Sequence, residues 1–117
     1  MRPAIDSFLP LAPATLHILL ALAAGKMYGY AIMQEVARQS DGRYKLGPGT
    51  LYDNLQRLMK QGMVEEVSAR EEDDNSRRRY YRLTGLGRGV LSAEIDRLRS
   101  VVDLAQMHLK SPQPRRA

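Results

Sequence analysis

The chain has 117 residues, room for one compact core and an appended element but not for two full domains. Eighteen Lys and Arg stand against 13 Asp and Glu for a net charge of +5, which favours polyanionic partners. At 44% hydrophobic and 26% charged residues the chain is unlike a disordered or membrane-spanning protein, and its longest apolar stretch, 16–24 with His17 inside it, is too short to cross a bilayer. No secretory leader or lipidation signal is recognised, so a soluble cytoplasmic protein with no membrane partner is expected.

The absence of cysteine removes disulfides, thiolate metal sites and cysteine nucleophiles together. His17 and His108 lie at opposite ends of the chain without a local ligand partner, so neither catalysis nor a metal or other cofactor is expected. Charge is segregated along the chain. Residues 63–76 carry Glu65, Glu66, Glu71, Glu72, Asp73 and Asp74 against Arg70 alone, whereas 77–91 carry Arg77, Arg78, Arg79, Arg82 and Arg88 with no acid.

Residues 1–13 contain Pro3, Pro10 and Pro13 and read as an irregular arm. A first helix follows over about 14–24, apolar nearly all round and therefore buried on several sides, with Gly25 as its C-cap. A second begins near Gly29, with Tyr30, Ile32, Met33, Val36 and Ala37 as its apolar stripe, and ends at Ser40-Asp41-Gly42. Gly47-Pro48-Gly49-Thr50 introduces a third. Leu51, Leu55, Leu58 and Met59 share one of its faces, opposite Tyr52, Asp53, Gln56, Arg57 and Lys60, and Gly62 closes it.

Residues 63–67 and 78–83 are short β-type runs separated by ten polar residues, a hairpin with a long charged tip. Alternation places Tyr81 and Leu83 on the core side, with Tyr80 and Arg82 outward. Three helices followed by such a hairpin make the winged helix-turn-helix layout, mainly α with a small β-hairpin, over 14–84.

Thr84 is placed to N-cap a last helix within 85–110, whose residues Leu91, Ile95, Leu98, Val102, Ala105 and Leu109 repeat at alternating steps of four and three. That seam is expected to form a homodimer interface rather than to fold back on its own domain. The tail 111–117 is expected to be disordered. Gly85-Leu86-Gly87-Arg88-Gly89 superficially suggests a dinucleotide-binding turn, but position 90 is Val90 and no second parallel strand follows.

Three groups of residues are candidates for DNA contact. On the third helix, Pro48, Gly49, Thr50, Tyr52, Asp53 and Asn54 lie in the first turns, where a recognition helix reaches base edges; Asn54 could pair with adenine, and Asp53 could cap the helix or accept from cytosine. Arg57 and Lys60 suit guanine or phosphate. The basic strand Arg77-Arg78-Arg79 suits phosphates or a narrow minor groove. Lys26, Tyr28 and Gly29, at the start of the second helix, could hold a phosphate oxygen. The acidic tip 71–74 is expected to splay away from DNA unless its acids pair with the neighbouring arginines.

Tyr28-Gly29-Tyr30, Pro48-Gly49-Thr50-Leu51-Tyr52 and Arg79-Tyr80-Tyr81-Arg82-Leu83-Thr84, leading through Gly87-Arg88 into the last helix, together resemble a PadR-like transcriptional regulator of the subgroup with a short C-terminal region. The resemblance runs over about residues 16–91. It implies a homodimeric winged-helix repressor of an inverted-repeat operator, released by a small-molecule effector in some members. On that implication Thr50, Tyr52, Arg78 and Arg79 face DNA and the last helix forms the dimer. Gly47 and Asp53-Asn54 depart from the Ser before Pro-Gly-Thr and the Pro-Ala after the Tyr that are common in the family. A second reading from another class, a winged-helix module for protein association, remains open.

Overall fold

The computed structural model of the chain describes residues 4–68 and 78–110. The expectations for Arg77, the acidic tip and the tail 111–117 therefore lie outside the described residues. The architecture is mainly helical with one small antiparallel sheet, in the order α1 (Pro13–Leu22), β1 (Met27–Tyr28), α2 (Gly29–Gln39), α3 (Pro48–Lys60), β2 (Val64–Val67), β3 (Tyr80–Leu83) and α4 (Gly85–Lys110).

Helix α1 begins with Pro13, whose fixed φ suits a first turn where no amide partner exists. Ile18, Leu19, Ala21 and Leu22 are fully buried, which makes this helix the centre of the core. Around it pack Ile32 and Val36 of α2, Leu51, Leu55 and Leu58 of α3, Met63 and Val64, Tyr81 and Leu83 of β3, and Val90 and Leu91 of α4. His17 is half-buried and stacks on Tyr44, the ring centroids 4.5 Å apart. Tyr30 departs from the expected apolar stripe of α2. Residing in the first turn beside the sheet, it is 58% exposed, and only Ile32 and Val36 of the stripe are fully inside.

The sheet has three strands, not the two of a simple hairpin. Its order is β1-β3-β2, with Met27 opposite Tyr81, and Glu66 opposite the same Tyr81 from the other side. Two residues of β1 gain strand character only by pairing with β3, so no local pattern announced them. Along β3 the side chains alternate as expected: Tyr81 and Leu83 are buried, Tyr80 is half-buried and Arg82 exposed.

Thr84 caps α4. Its Oγ1 accepts from the Gly87 amide at 3.0 Å and its hydroxyl donates to the Gly62 carbonyl at 2.6 Å, tying the start of α4 to the end of α3. Gly87 lies so close to the Met63 carbonyl that a Cβ would collide with it. The first part of α4 is thereby clamped onto the core, with Gly87, Val90, Leu91 and Glu94 buried. Leu91, assigned from the heptad pattern to a dimer seam, belongs instead to the core of its own chain, and Ile95 packs against that core as well. The two faces are one in sequence because the same spacing serves either partner. Leu98 is half-buried, while every residue from 101 to 110 is exposed, including Val102, Ala105 and Leu109.

The arm is more ordered than its prolines suggested. Ile5–Phe8 forms a turn of 3-10 helix, and Ile5, Phe8, Leu9 and Leu11 pack on the core. Glu94 secures it. This carboxylate is 1% exposed, accepts from the Leu11 amide at 3.0 Å and is bridged by Arg97 at 2.6 Å. The Arg97 guanidinium, helped by the Leu11 amide, outweighs burial and holds the Glu94 carboxyl below its usual range.

Candidate nucleic-acid interface

Helix α3 turns its apolar stripe inward, so its other face is left to solvent: Pro48, Gly49, Thr50, Tyr52, Asp53, Gln56, Arg57 and Lys60 are all exposed. Asp53 does not cap the helix. Gly47 occupies the N-cap position, without a side-chain hydrogen bond, and Asp53 lies a turn and a half inside. The first amides of α3 consequently have no side-chain cap competing for them.

Asn54 is the main correction to the sequence reading. It is 6% exposed, its Nδ2 donates to the Thr50 carbonyl at 2.9 Å, and its Oδ1 accepts from Thr15 Oγ1 at 2.8 Å and from Arg57 Nη2 at 2.7 Å. An amide engaged on both atoms inside the protein cannot pair with adenine. Its spacing held the clue: Asn54 lies three residues after Leu51 and four before Leu58, on the buried face of the helix. Thr15, on α1, went unnoticed because nothing in its local sequence distinguishes a buried hydroxyl with a distant partner.

The outer face of the sheet joins two of the candidate groups. The Arg78 guanidinium carbon sits 4.2 Å from the centre of the Tyr28 ring, Tyr28 meets Tyr80 edge-on at 5.7 Å, and Lys26 Nζ lies 4.9 Å from the centre of the Tyr80 ring. Cation and ring thus alternate across β1 and β3, and among the described residues each of these cations is held by a π face rather than by a carboxylate. Arg79 and Arg82 have acidic neighbours. Glu66 lies 3.9 Å from Arg79, and Glu65 lies 2.6 Å from Arg82, both as exposed pairs whose mutual attraction is weak and salt-screened.

The third link is made by glycine. Gly29 is buried at the start of α2, and the Tyr52 hydroxyl occupies the place where a Cβ would stand. A larger residue at position 29 would push the Tyr52 ring out of this place. The result is an open cleft of about 420 Å³ walled by Tyr28, Gly29, Tyr30, Tyr52, Arg78, Arg79 and Tyr81. Burial, with the Glu66 charge adding to it, pushes the Tyr81 hydroxyl above its usual range, so it stays a neutral donor at neutral pH. Among the described residues no cluster of His, Asp or Glu could hold a metal ion, and no helix is long and apolar enough to cross a membrane.

Known proteins share this arrangement. Residues 18–93 match the family model of the transcriptional regulator PadR-like family. The chain is 37% identical over 83 residues to "Transcriptional regulator Rv3488" of Mycobacterium tuberculosis, an alignment covering 71% of this chain and 73% of that one. A transcriptional regulator from Clostridium thermocellum superposes with a TM-score of 0.68 at 25% identity, over 88% of this chain and 91% of that one. PadR of Bacillus subtilis, solved in complex with operator DNA, superposes at 0.63 over 74% of this chain and 48% of that one; at 20% identity this likeness concerns the fold alone. Three helices, a three-stranded wing, a long closing helix and a family match across both the helices and the wing place the chain in the PadR-like family of transcriptional regulators.

Proposed function

We propose that this regulator binds double-stranded DNA as a homodimer and represses transcription by occupying an inverted-repeat operator. The observation that carries the reading is the cleft, because it brings Tyr28, Tyr52, Arg78 and Arg79 from three separate sequence motifs onto one basic, hydroxyl-rich surface beside the exposed face of α3. In this reading Thr50, Tyr52 and Asp53 meet base edges in the major groove, with Pro48 and Gly49 close to the backbone. Lys26, Arg78, Arg79 and the amides near Gly29 contact phosphates, and Arg57 and Lys60 extend the surface along α3. Two copies would place their reading helices roughly 34 Å apart, one turn of the duplex.

The exposed apolar residues Val101, Val102, Leu104, Met107 and Leu109 support the second copy as the cover for the far half of α4. A small-molecule effector would act through α4, which joins each reading head to the shared interface.

The test is a fluorescence-anisotropy titration of a random duplex pool and of the DNA upstream of the protein's own gene, each at two salt concentrations. Binding that prefers the upstream duplex and weakens linearly in log K against log salt is expected. No binding at low salt would transfer the wing and α4 to a protein partner.

A further inference from the structure

A buried amide on the reading helix has an unusual set of partners. Asn54 Oδ1 receives two donors, one from the core and one from the exposed face: Thr15 Oγ1 at 2.8 Å and Arg57 Nη2 at 2.7 Å. The amide's Nδ2 also donates to the Thr50 carbonyl one turn earlier at 2.9 Å, so its setting is shared between a bond from α1 and one within α3. Thr15 in turn is 7% exposed on α1, the most deeply packed helix of the molecule. A rigid element behind α3 thus holds, through one relay, the guanidinium of an exposed arginine, beside a groove that Thr15 shares with Phe8, Pro10 and Leu11 of the arm.

We infer that Thr15 and Asn54 are positioning residues that preset Arg57 for contact with DNA, an inference that rests on the DNA-binding reading above. Stability alone gives no reason for this geometry. Arg57 is exposed, and an arginine in water satisfies its donors without help, whereas the same hydrogen bond holds a long, rotamer-rich side chain in one setting. One Nη2 proton is spent on Asn54, which leaves the remaining donors of the planar group for a phosphate or a guanine edge. Asn54 therefore acts on DNA through Arg57, not by reading a base itself.

The test uses the full chain and a duplex selected from a random pool for binding to it. Thr15→Val keeps the shape and removes the donor; Thr15→Ser restores a hydroxyl. Thr15→Val is expected to weaken binding about two- to tenfold, the loss of an unpaid ordering of one long side chain, with the salt slope unchanged because no charge is removed. Thr15→Ser should recover most of it. In an Arg57→Ala background Thr15→Val should have no further effect, and 15N relaxation of the Arg57 Nε–H should report a more mobile side chain in folded Thr15→Val than in the parent. A Thr15→Val loss that persists without Arg57, or an Arg57 side chain equally ordered with and without the hydroxyl, would overturn the inference alone. A parent chain that binds no duplex would overturn the DNA-binding reading and this inference with it.

Discussion

The two halves of α4 carry the same heptad period and meet opposite fates. From Gly87 to Glu94 the helix is built into the core of its own chain, against Met63 and the N-terminal arm; from 101 to 110 every residue is exposed. A heptad pattern specifies that a face will be covered and says nothing about whose atoms cover it. What separates the halves is the presence of features that demand one particular neighbour. The Met63 carbonyl presses so close to position 87 that only glycine fits there, and Glu94 is buried only because the Leu11 amide and Arg97 meet it there.

Substitutions can sharpen this contrast. The largest effect is expected from Leu91→Ala, which opens a cavity in the core and should cost about 2–5 kcal/mol of stability in urea denaturation. Gly87→Ala forces its new methyl group against the Met63 carbonyl and should cost about 1–3 kcal/mol, as overpacking does. Glu94 gives a pH signature. Its folded carboxyl titrates below the ordinary value of 4.5, so its contribution is fully present above that value and is lost as the pH falls through the lower, folded one. Melting temperatures of the parent should therefore fall more steeply than those of Glu94→Gln as the medium is acidified below pH 4.5, and parallel curves would break the link between arm and helix. The smallest effect on the fold belongs to the far half. Val102→Asp with Leu109→Asp should leave hydrogen-exchange protection of α1 unchanged while sedimentation reports the 13.2 kDa single chain in place of the proposed dimer. Loss of α1 protection would mean that the far half supports the core after all.

Much of this fold was legible in the sequence because helical and strand periods are local. The all-round apolar character of α1, the stripe of α3, the alternation in β3 and the cap at Thr84 are each decided by residues within a turn or two. The parts that were not legible depend on distant partners. Strand β1 exists because Met27 and Tyr28 pair with Tyr81 and Tyr80, and the arm folds because α4 offers it Glu94. Asn54 differs for another reason: its polar chemistry and its place in the first turns suggest a base contact, whereas its spacing puts it at an apolar position on the buried face of α3. The candidate site fared similarly. Lys26, Tyr28, Tyr52 and Arg78 were each identifiable by type, but that Gly29 and Tyr52 interlock and that Tyr28 carries Arg78 on its ring are facts of assembly.

The central claim is that the wing and α3 form one phosphate-contacting surface, and the salt dependence of binding tests it most directly. With log K plotted against log salt concentration, Arg78→Ala combined with Arg79→Ala should weaken binding to every duplex and reduce the slope by about two, one for each phosphate contact removed. An unchanged slope in a folded double variant would contradict the claim and remove the wing from the DNA.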